Sequence, residues 1–280
     1  MTTLSPVTES STTSTLPLPD DLLDRCRQRA ATYDRENRFF DEDFAELGDA
    51  GYLLAVVPHS HGGAGATLAE MVDSQRRLAA FASATALALT MHQYFTGIAA
   101  DLHAIGDESA TRILDEVAAG EVYAAGHAET GNDVPGVLST THAERVDGGY
   151  RVTGRKRFGS LGPVWTRLGI HAIDPADPSG PKIIHAFVPR DSSGVDVQQQ
   201  WNTIGMRATQ SYDTILDGVF VPDSRVIRVL PAGDPSDAYF GSMMAWAFLQ
   251  IGAVYLGIAD RAYDLAVAGV VGDRGHCGKG

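Results

Sequence analysis

A short polar stretch, residues 125–133, offers the first chemistry in this sequence. It reads AGHAETGND and follows an apolar run, so a strand is expected to end in a loop that contains Gly131. Such a strand end presents backbone N–H and C=O groups, and a planar heteroaromatic ligand needs both donors and acceptors. The stretch therefore predicts a ligand-binding loop.

A second group of useful residues follows further along the chain. Residues 154–160 read GRKRFGS and place an aromatic ring, Phe158, two residues before a hydroxyl, Ser160. In a strand, residues two apart point to the same face. A ring to stack on a ligand and a hydroxyl to donate to it would complete the site, whereas the alternative is an ordinary basic loop beside a core phenylalanine.

Other motifs point to no chemistry. The glycines at residues 61–65 do not have the offsets of a dinucleotide-binding turn, so a tight loop before a helix is favoured. His59 with His61, and His92 with His103, lack a third ligand at a recognisable spacing, and no metal site is predicted. Ser160 is not a hydrolase nucleophile, because the glycine required two residues before it is absent.

The composition limits the class of partner. The 280 residues include 22 Lys and Arg against 35 Asp and Glu, a net charge of −13 at pH 7. Nucleic acid and anionic membrane surfaces are therefore poor partners. Two cysteines, Cys26 and Cys277, cannot make a disulfide framework. Residues 1–19 have neither the basic nor the apolar region of a signal peptide, so a cytoplasmic protein is expected.

The first part of the chain is predicted to be helical. Residues 1–19, rich in Ser, Thr and Pro, are expected to form a disordered tail. Apolar residues then recur at helical spacing from Asp20, with Asp20 or Asp21 as N-cap. Three further helices are predicted at residues 68–82, 84–102 and 109–118. We therefore expect an N-terminal helical domain at 20–119.

The pattern changes to strands after Gly120. The turn Asp147-Gly148-Gly149 between two alternating runs predicts a hairpin. Strands are predicted at residues 122–128, 140–146, 150–153, 167–172, 182–188, 195–199 and 214–221. A β domain at 120–231 and a helical domain at 232–280 follow, joined by a linker at 231–235. Helices, strands and helices in succession indicate an α+β fold.

One stretch is long enough to cross a membrane. Residues 239–259 are 21 uncharged residues, but Ser242, Gln250 and three glycines dilute their hydrophobicity. A second uncharged stretch, 81–100, contains polar side chains as well. A pair of helices buried on all sides in a helical bundle explains both stretches better than membrane insertion.

These features recur together in one family. They include GY at 51–52, VP at 57–58, the glycine loop, and the segments GMRAT at 205–209 and DGVFVP at 217–222. In this order and spacing, the chain resembles an acyl-CoA dehydrogenase over residues 20–268. The resemblance implies an N-terminal all-α domain, a middle β-barrel or sandwich domain and the start of a C-terminal four-helix domain.

The resemblance also implies FAD, bound between the β domain and the C-terminal helices. The implied cofactor-binding residues are His127, Ala128, Glu129, Thr130, Asn132, Phe158, Gly159 and Ser160. The main chain of the first four would contact the flavin pyrimidine, while Phe158 would pack on the ring and Ser160 would donate toward N5. Asn132 lies in a loop shorter than that of the family. Arg207 matches a frequent family arginine and is expected to be a structural ion-pair partner.

No catalytic base is identified. Family members continue beyond Gly280, and that part would hold the usual catalytic Glu and an Arg that contacts the FAD pyrophosphate. Some members place the base early in the first C-terminal helix, at the position of Ala247 here. The chain is therefore expected to be a C-terminally truncated member.

Three functions follow as hypotheses. The first is α,β-dehydrogenation of an acyl-CoA thioester, impaired by the absent base, with an electron-transfer flavoprotein as a partner. The second is a flavin-dependent monooxygenase of the same fold, supplied by a flavin reductase, which needs no such base. The third is a non-catalytic remnant or binding protein. A complete member is expected to form a homotetramer or homodimer, without nucleic acid or membrane partners.

Overall fold

Helices form the first part of the described chain and its last described element. A computed structural model describes Leu16 and residues 18–274. Short 3-10 turns lie between some of the helices. The α-helices are α1 (Asp20–Glu36), α2 (Asp41–Asp49), α3 (Leu68–Phe81), α4 (Ser83–Ala104), α5 (Thr111–Ala118) and α6 (Ala238–Arg274).

The start of the first helix differs from the prediction. Helix α1 begins at Asp20, its N-cap is Pro19, and no side chain caps it. Asp20 and Asp21 instead occupy the first turn, where carboxylates interact favourably with the helix dipole. Asn37 ends the helix in the left-handed conformation with φ 52°. Proline suits this entry because its ring presets a backbone angle close to that of the helix.

Within the described residues, eight strands form one mixed sheet. The sheet order is β6-β7-β3-β2-β4-β5-β8, with β1 parallel to β4. Most neighbours are antiparallel, and β2 also meets β4 in parallel at one residue pair. The strands are β1 (Tyr123–Gly126), β2 (His142–Val146), β3 (Gly149–Gly159), β4 (Arg167–Asp174), β5 (Lys182–Pro189), β6 (Val195–Gln198), β7 (Tyr212–Pro222) and β8 (Val226–Pro231).

The predicted hairpin is confirmed, and one strand was missed. Val146 pairs with Gly149 across a two-residue turn in which Gly148 has φ +75°. Strand β8 was not predicted, because its side chains are mostly half-buried and its sequence has no clear alternation. It pairs with β5 and so covers what would otherwise be a sheet edge.

Helix α4 lies at the centre of the fold. The stretch 81–100 was predicted to form a helix buried on all sides, and none of the residues 83–100 in this helix is exposed. Its polar residues bond inside the protein. Phe95 packs against the sheet, where a Cβ atom added to Gly169 would lie 2.1 Å from the ring. Phe95 also meets Phe187 edge to face at 4.8 Å. Aromatic packing thus joins the helical layer to the sheet.

Helix α6 packs against α3 and α4 along one face. Gly97 admits the ring of Trp246, and Gly257 admits the backbone oxygen of Arg76. The prediction that this helix is buried on all sides is wrong for the described residues, because a second face is exposed. Its large apolar members are Phe248, Leu249, Tyr255, Leu256, Tyr263, Leu265, Val267 and Val270. By length and composition alone, Ala238–Val270 could cross a membrane, a test that core helices of soluble proteins also pass.

Candidate functional site

A cleft of about 190 Å³ opens where α4, the end of β1, the end of β3 and α6 meet. Its wall is mainly apolar, and methionine side chains contribute three of its residues. Flexible, polarisable methionines adapt to ligands of varied shape. The lining residues are Met91, Tyr94, Ala125, His127, Ala128, Pro135, Arg157, Phe158, Met243, Met244, Ala247, Phe248 and Ile251.

The structure brings the two predicted ligand-binding segments together at this cleft. Beyond the end of β1, Ala128 forms an isolated antiparallel bridge with Arg157 on β3. The Arg157 N–H donates to the Ala128 carbonyl at 2.9 Å. Residues far apart in sequence therefore share one wall, with His127, Ala128 and Phe158 all in the lining.

The prediction that Phe158 and Ser160 share a strand face is wrong. Phe158 has φ +57°, and the pairing of β3 with β7 shifts register between Lys156 and Gly159. A left-handed residue breaks the alternation of a strand, so the Phe158 ring is 56% exposed while Ser160 is buried beyond the strand end. The Ser160 hydroxyl instead lies 2.8 Å from that of Ser211.

The Phe158 ring lies in a polar and aromatic surrounding at the mouth of the cleft. It meets Trp201 edge to face at 6.3 Å, and the Arg157 guanidinium lies 5.9 Å from its ring centre. Asp213 pairs with Arg157 at 3.3 Å and with Arg155 at 2.7 Å. A backbone held in the left-handed region by such contacts is typical of a functional position.

Several predicted cofactor residues lie outside the lining of the cleft. They are Glu129, Thr130, Asn132, Gly159 and Ser160. The Asn132 side chain is used within its own loop, donating to Glu129 at 2.8 Å and accepting from the Val134 N–H at 3.1 Å. Asn132 is thus engaged in shaping the loop.

Glu129 organises that loop from inside the protein. Its carboxylate accepts from Lys156 Nζ at 2.6 Å, from the Ser139 hydroxyl at 2.8 Å and from the Thr140 and Thr141 N–H groups. Burial opposes ionisation, but hydrogen bonds from His171, Lys156 and Thr141 outweigh it and hold the pKa of Glu129 well below its usual range. The carboxylate is therefore ionised, and its part in the site is to position the loop.

Buried histidines lie behind the cleft wall, and the sequence prediction missed two of them. His171 on β4 pairs in register with His185 on β5, and both are fully buried. Burial is the main cause that lowers the pKa of His171 to about 4 and that of His185 to about 3. Burial also lowers the pKa of His127 well below its usual value. The sequence did offer one signal for these two residues, since each is a histidine within an otherwise mainly apolar strand.

Arg207 and the histidines considered as metal ligands were also singled out in the sequence. Arg207 is a structural residue as expected, but the predicted ion pair is wrong: its guanidinium donates to backbone oxygens of Asp34 and Thr203. Among the described residues, no group of three or more potential ligands could hold a metal ion. His92 is a satisfied core residue, bonded to the Leu53 carbonyl and the Tyr123 N–H.

Ala247 lines the cleft at the position where some relatives were expected to carry a base. Among the residues that line it, Arg157 has the only permanent charge, and no carboxylate contributes. The described site therefore offers an apolar wall, one cation, and the paired Tyr94 and His127 side chains.

This chain is similar in sequence to known proteins. Residues 22–121 match the family "Acyl-CoA dehydrogenase, N-terminal domain". The chain is 32% identical over 251 residues to "Putative acyl-CoA dehydrogenase YdbM" of Bacillus subtilis, covering 88% of this chain and 63% of that protein. It is also 32% identical to "Amino sugar nitrososynthase RubN8" of Streptomyces rubradiris, covering 90% of this chain and 60% of the relative.

A solved structure gives the same result. The structure of KijD3 in complex with FMN and dTDP-3-amino-2,3,6-trideoxy-4-keto-3-methyl-D-glucose superposes with a TM-score of 0.78 at 30% identity, covering 89% of this chain and 61% of KijD3. The chain thus spans about three-fifths of the length of these relatives. The shared fold and sequence show that this chain belongs to the acyl-CoA dehydrogenase family of flavin-dependent oxidoreductases.

Proposed function

We propose that this chain forms the flavin and substrate cleft of a flavin-dependent monooxygenase that oxidises a small organic molecule. The observation that carries the proposal is the lining of the cleft. α,β-Dehydrogenation of a thioester needs a carboxylate to remove the α-proton. In the part of the chain that the structure describes, no carboxylate lines the cleft, and Ala247 occupies the position considered for it.

The residues present fit a planar flavin ring. The exposed Phe158 ring and the methionines offer an apolar surface beside the strand end at Ala128. Arg157 adds a cation at the same wall, suited to an electron-rich ring edge. When bound in reduced form, a flavin supplies the activation of dioxygen, and the protein's own residues bind the substrate beside it and exclude water.

The comparisons support the same proposal. RubN8 is described as an amino sugar nitrososynthase, and the KijD3 structure is described with FMN and an amino-deoxysugar nucleotide. A further relative, 28% identical, is described as the oxygenase component of an FADH(2)-dependent resorcinol hydroxylase. These names support oxidation of a small molecule by reduced flavin. Both FMN and FAD are therefore candidates, with FAD as the sequence prediction.

Dehydrogenation remains the second candidate because of the similarity to YdbM. It requires a base that is not among the residues lining the described cleft. An electron-transfer flavoprotein would be the partner in that case, whereas a flavin reductase is the partner that the monooxygenase needs.

Two reactions separate the candidates. The chain is loaded with FMN or FAD and mixed anaerobically with a panel of acyl-CoA thioesters, and flavin absorbance is followed. In parallel, chemically reduced flavin, oxygen and a panel of amines and phenols are supplied, and oxygenated product is measured by mass spectrometry. Oxygenated product without bleaching supports the proposal, and bleaching by a thioester without oxygenation refutes it.

A designed carboxylate sharpens this test. Ala247→Glu places a possible base in the cleft, while Leu249→Glu places the same charge on the exposed side of α6. We expect acyl-CoA bleaching to increase at least tenfold in Ala247→Glu only, because a positioned base contributes about 10²–10⁴-fold to such steps. Bleaching already fast in the unmodified chain would show that a base exists elsewhere.

A further inference from the structure

Left-handed backbone is concentrated at one corner of the molecule, beside the mouth of the cleft. Among the described residues, those other than glycine that have positive φ are Asn37, Phe158, Leu161, Met206 and Gln210. They belong to three segments: the end of α1, the end of β3 with the residues after it, and the loop at residues 199–211 before β7. Such backbone persists only where surrounding contacts enforce it, and it is concentrated at functional sites.

Hydrogen bonds join the end of α1 to the loop at 199–211. The Asn37 side-chain amide donates to the Trp201 carbonyl at 2.7 Å. The Gln210 side chain donates in return to the Asn37 carbonyl at 2.9 Å. Both ends of the loop are therefore held by the residue that ends helix α1.

The same loop is joined to the segment that follows β3. The Leu161 N–H donates to the Thr209 carbonyl at 3.2 Å, and the Gly162 N–H donates to the Gln210 carbonyl at 3.1 Å. A Cβ atom added to Gly162 would lie 2.3 Å from that carbonyl oxygen, so the two segments are in close contact. The loop thus connects the end of α1 to the end of β3.

Trp201 is the residue of this loop that contacts the cleft lining. Its indole N–H donates to the Met206 carbonyl at 3.4 Å, while its own carbonyl accepts from Asn37. Its ring meets that of Phe158 edge to face, with centroids 6.3 Å apart. Phe158 lines the cleft and is 56% exposed, so it is accessible to a ligand.

We propose that Asn37 is a positioning residue for the Phe158 ring. Asn37 holds the loop at 199–211, the loop holds Trp201, and Trp201 determines where the Phe158 ring lies at the cleft mouth. Helix α1 and Asn37 contribute no residue to the cleft lining, yet the end of this helix influences ligand binding. In giving the ring a flavin to contact, the proposal rests on the proposed function.

Two substitutions at Asn37 remove the donor and keep the left-handed backbone accessible. Asn37→Asp preserves the size of the side chain, but an ionised carboxylate cannot donate to the Trp201 carbonyl. Asn37→Gly removes the side chain, and glycine is the residue best suited to a left-handed helix end. Asn202→Asp is the matched control, because the Asn202 side chain accepts from Arg207 at 3.3 Å and a carboxylate still accepts.

Fluorine NMR of the flavin-free chain reports the surroundings of the Phe158 ring. The full chain is produced with 4-fluorophenylalanine, and two resonances are assigned with Phe158→Leu and Phe220→Leu. We expect both Asn37 variants to shift the Phe158 resonance. The Phe220 resonance, from an exposed phenylalanine of β7, should stay in place. Asn202→Asp should move neither resonance.

Titrations with FMN and with FAD measure the consequence for binding. We expect the dissociation constant of the flavin that binds to rise about threefold to tenfold in both Asn37 variants, the size of one net hydrogen bond. Thermal unfolding of Asn37→Gly should stay cooperative, with a midpoint close to that of the unmodified chain. Weaker binding at unchanged stability distinguishes a positioning role from support of the fold.

Every other result decides the proposal as well. An unmoved Phe158 resonance in either Asn37 variant, or shifts that also appear at Phe220 or in Asn202→Asp, would overturn it. Flavin affinity unchanged in both Asn37 variants, or loss of the folded state in Asn37→Gly, would do the same. If the unmodified chain binds neither FMN nor FAD while the Phe158 shifts occur as expected, the proposed function is refuted and the positioning role of Asn37 stands.

Discussion

At the scale of single residues, the Glu129 side chain organises the loop beside the cleft, although the sequence predicted this residue as a cofactor contact. Its carboxylate holds Lys156, Ser139 and two backbone N–H groups of the loop beside the cleft. Gly136 of that loop, with φ +89°, packs against the end of the Met243 side chain on α6. The carboxylate therefore supports the position of the loop against α6.

Removing this charge should be costly. Glu129→Gln leaves the Lys156 ammonium buried without its counter-charge, and breaking a buried pair destabilises by about 3–5 kcal/mol. Glu144→Gln, the same change at an exposed position of β2, should alter the free energy of unfolding by less than about 0.5 kcal/mol. Urea denaturation of both variants measures the difference. Equal stabilities would show that the pair contributes nothing.

Phe158 should show opposite effects on stability and on binding. A non-glycine residue in the left-handed region costs about 1–2 kcal/mol, so Phe158→Gly relieves strain at φ +57°. We expect unchanged or higher stability together with flavin affinity at least tenfold weaker in a fluorescence titration. Phe220→Ala, at an exposed phenylalanine of β7 outside the cleft, should leave flavin affinity unaltered. Retained affinity in Phe158→Gly would remove this ring from the site.

At the scale of elements, the contact of α4 with α6 depends on a glycine, Gly97, at the point where the Trp246 ring packs. A Cβ atom at Gly97 would lie 2.1 Å from the Trp246 ring, so Gly97→Ala should destabilise by about 1–3 kcal/mol through overpacking. Gly241 on α6 has open space around its Cβ position. Gly241→Ala should therefore stabilise by about 0.5–1 kcal/mol. Thermal unfolding that moves both variants in the same direction would contradict this packing.

At the scale of the whole molecule, buried neutral histidines predict acid sensitivity. Burial lowers the pKa of His92 to about 4, and His171, His185 and His127 are lowered too. Below about pH 6.5 these histidines bind protons in the unfolded chain but stay neutral in the folded chain. The free energy of unfolding is therefore highest above this pH and decreases as the pH falls toward 4. The loss is about 1.4 kcal/mol per pH unit for each such histidine. Denaturation midpoints between pH 7 and 5 measure it, and a flat profile would exclude it.

The exposed apolar face of α6 predicts self-association of the 280-residue chain. Leu256, Tyr263 and Leu265 are each about half exposed or more. An apolar patch on a protein surface favours association, so light scattering should detect oligomers. The double variant Leu256→Gln and Tyr263→Gln should reduce association without moving the cleft. A monodisperse chain would contradict this expectation.

The sequence alone was sufficient for much of the architecture. Helical periodicity located α3 and α4, and the Asp147-Gly148-Gly149 turn located the hairpin, because local backbone preferences and side-chain periods act over a few residues. The resemblance to a flavin-dependent family rested on such local motifs, and the comparisons confirm it. Within the candidate site, the sequence indicated the segments around His127 and Phe158.

Only the tertiary structure decided which atoms of those segments face the cleft. The left-handed backbone at Phe158 separated the ring from Ser160, and the inward turn of Glu129 made it a partner of Lys156. His171 comes next to His127, and His185 next to His171, through strand pairing that no local pattern encodes. Strand register, bulges and burial are consequences of contacts between distant residues. The residue types of the site could therefore be predicted from the sequence. Which of their atoms face the cleft was decided only when the sheet and the helices packed together.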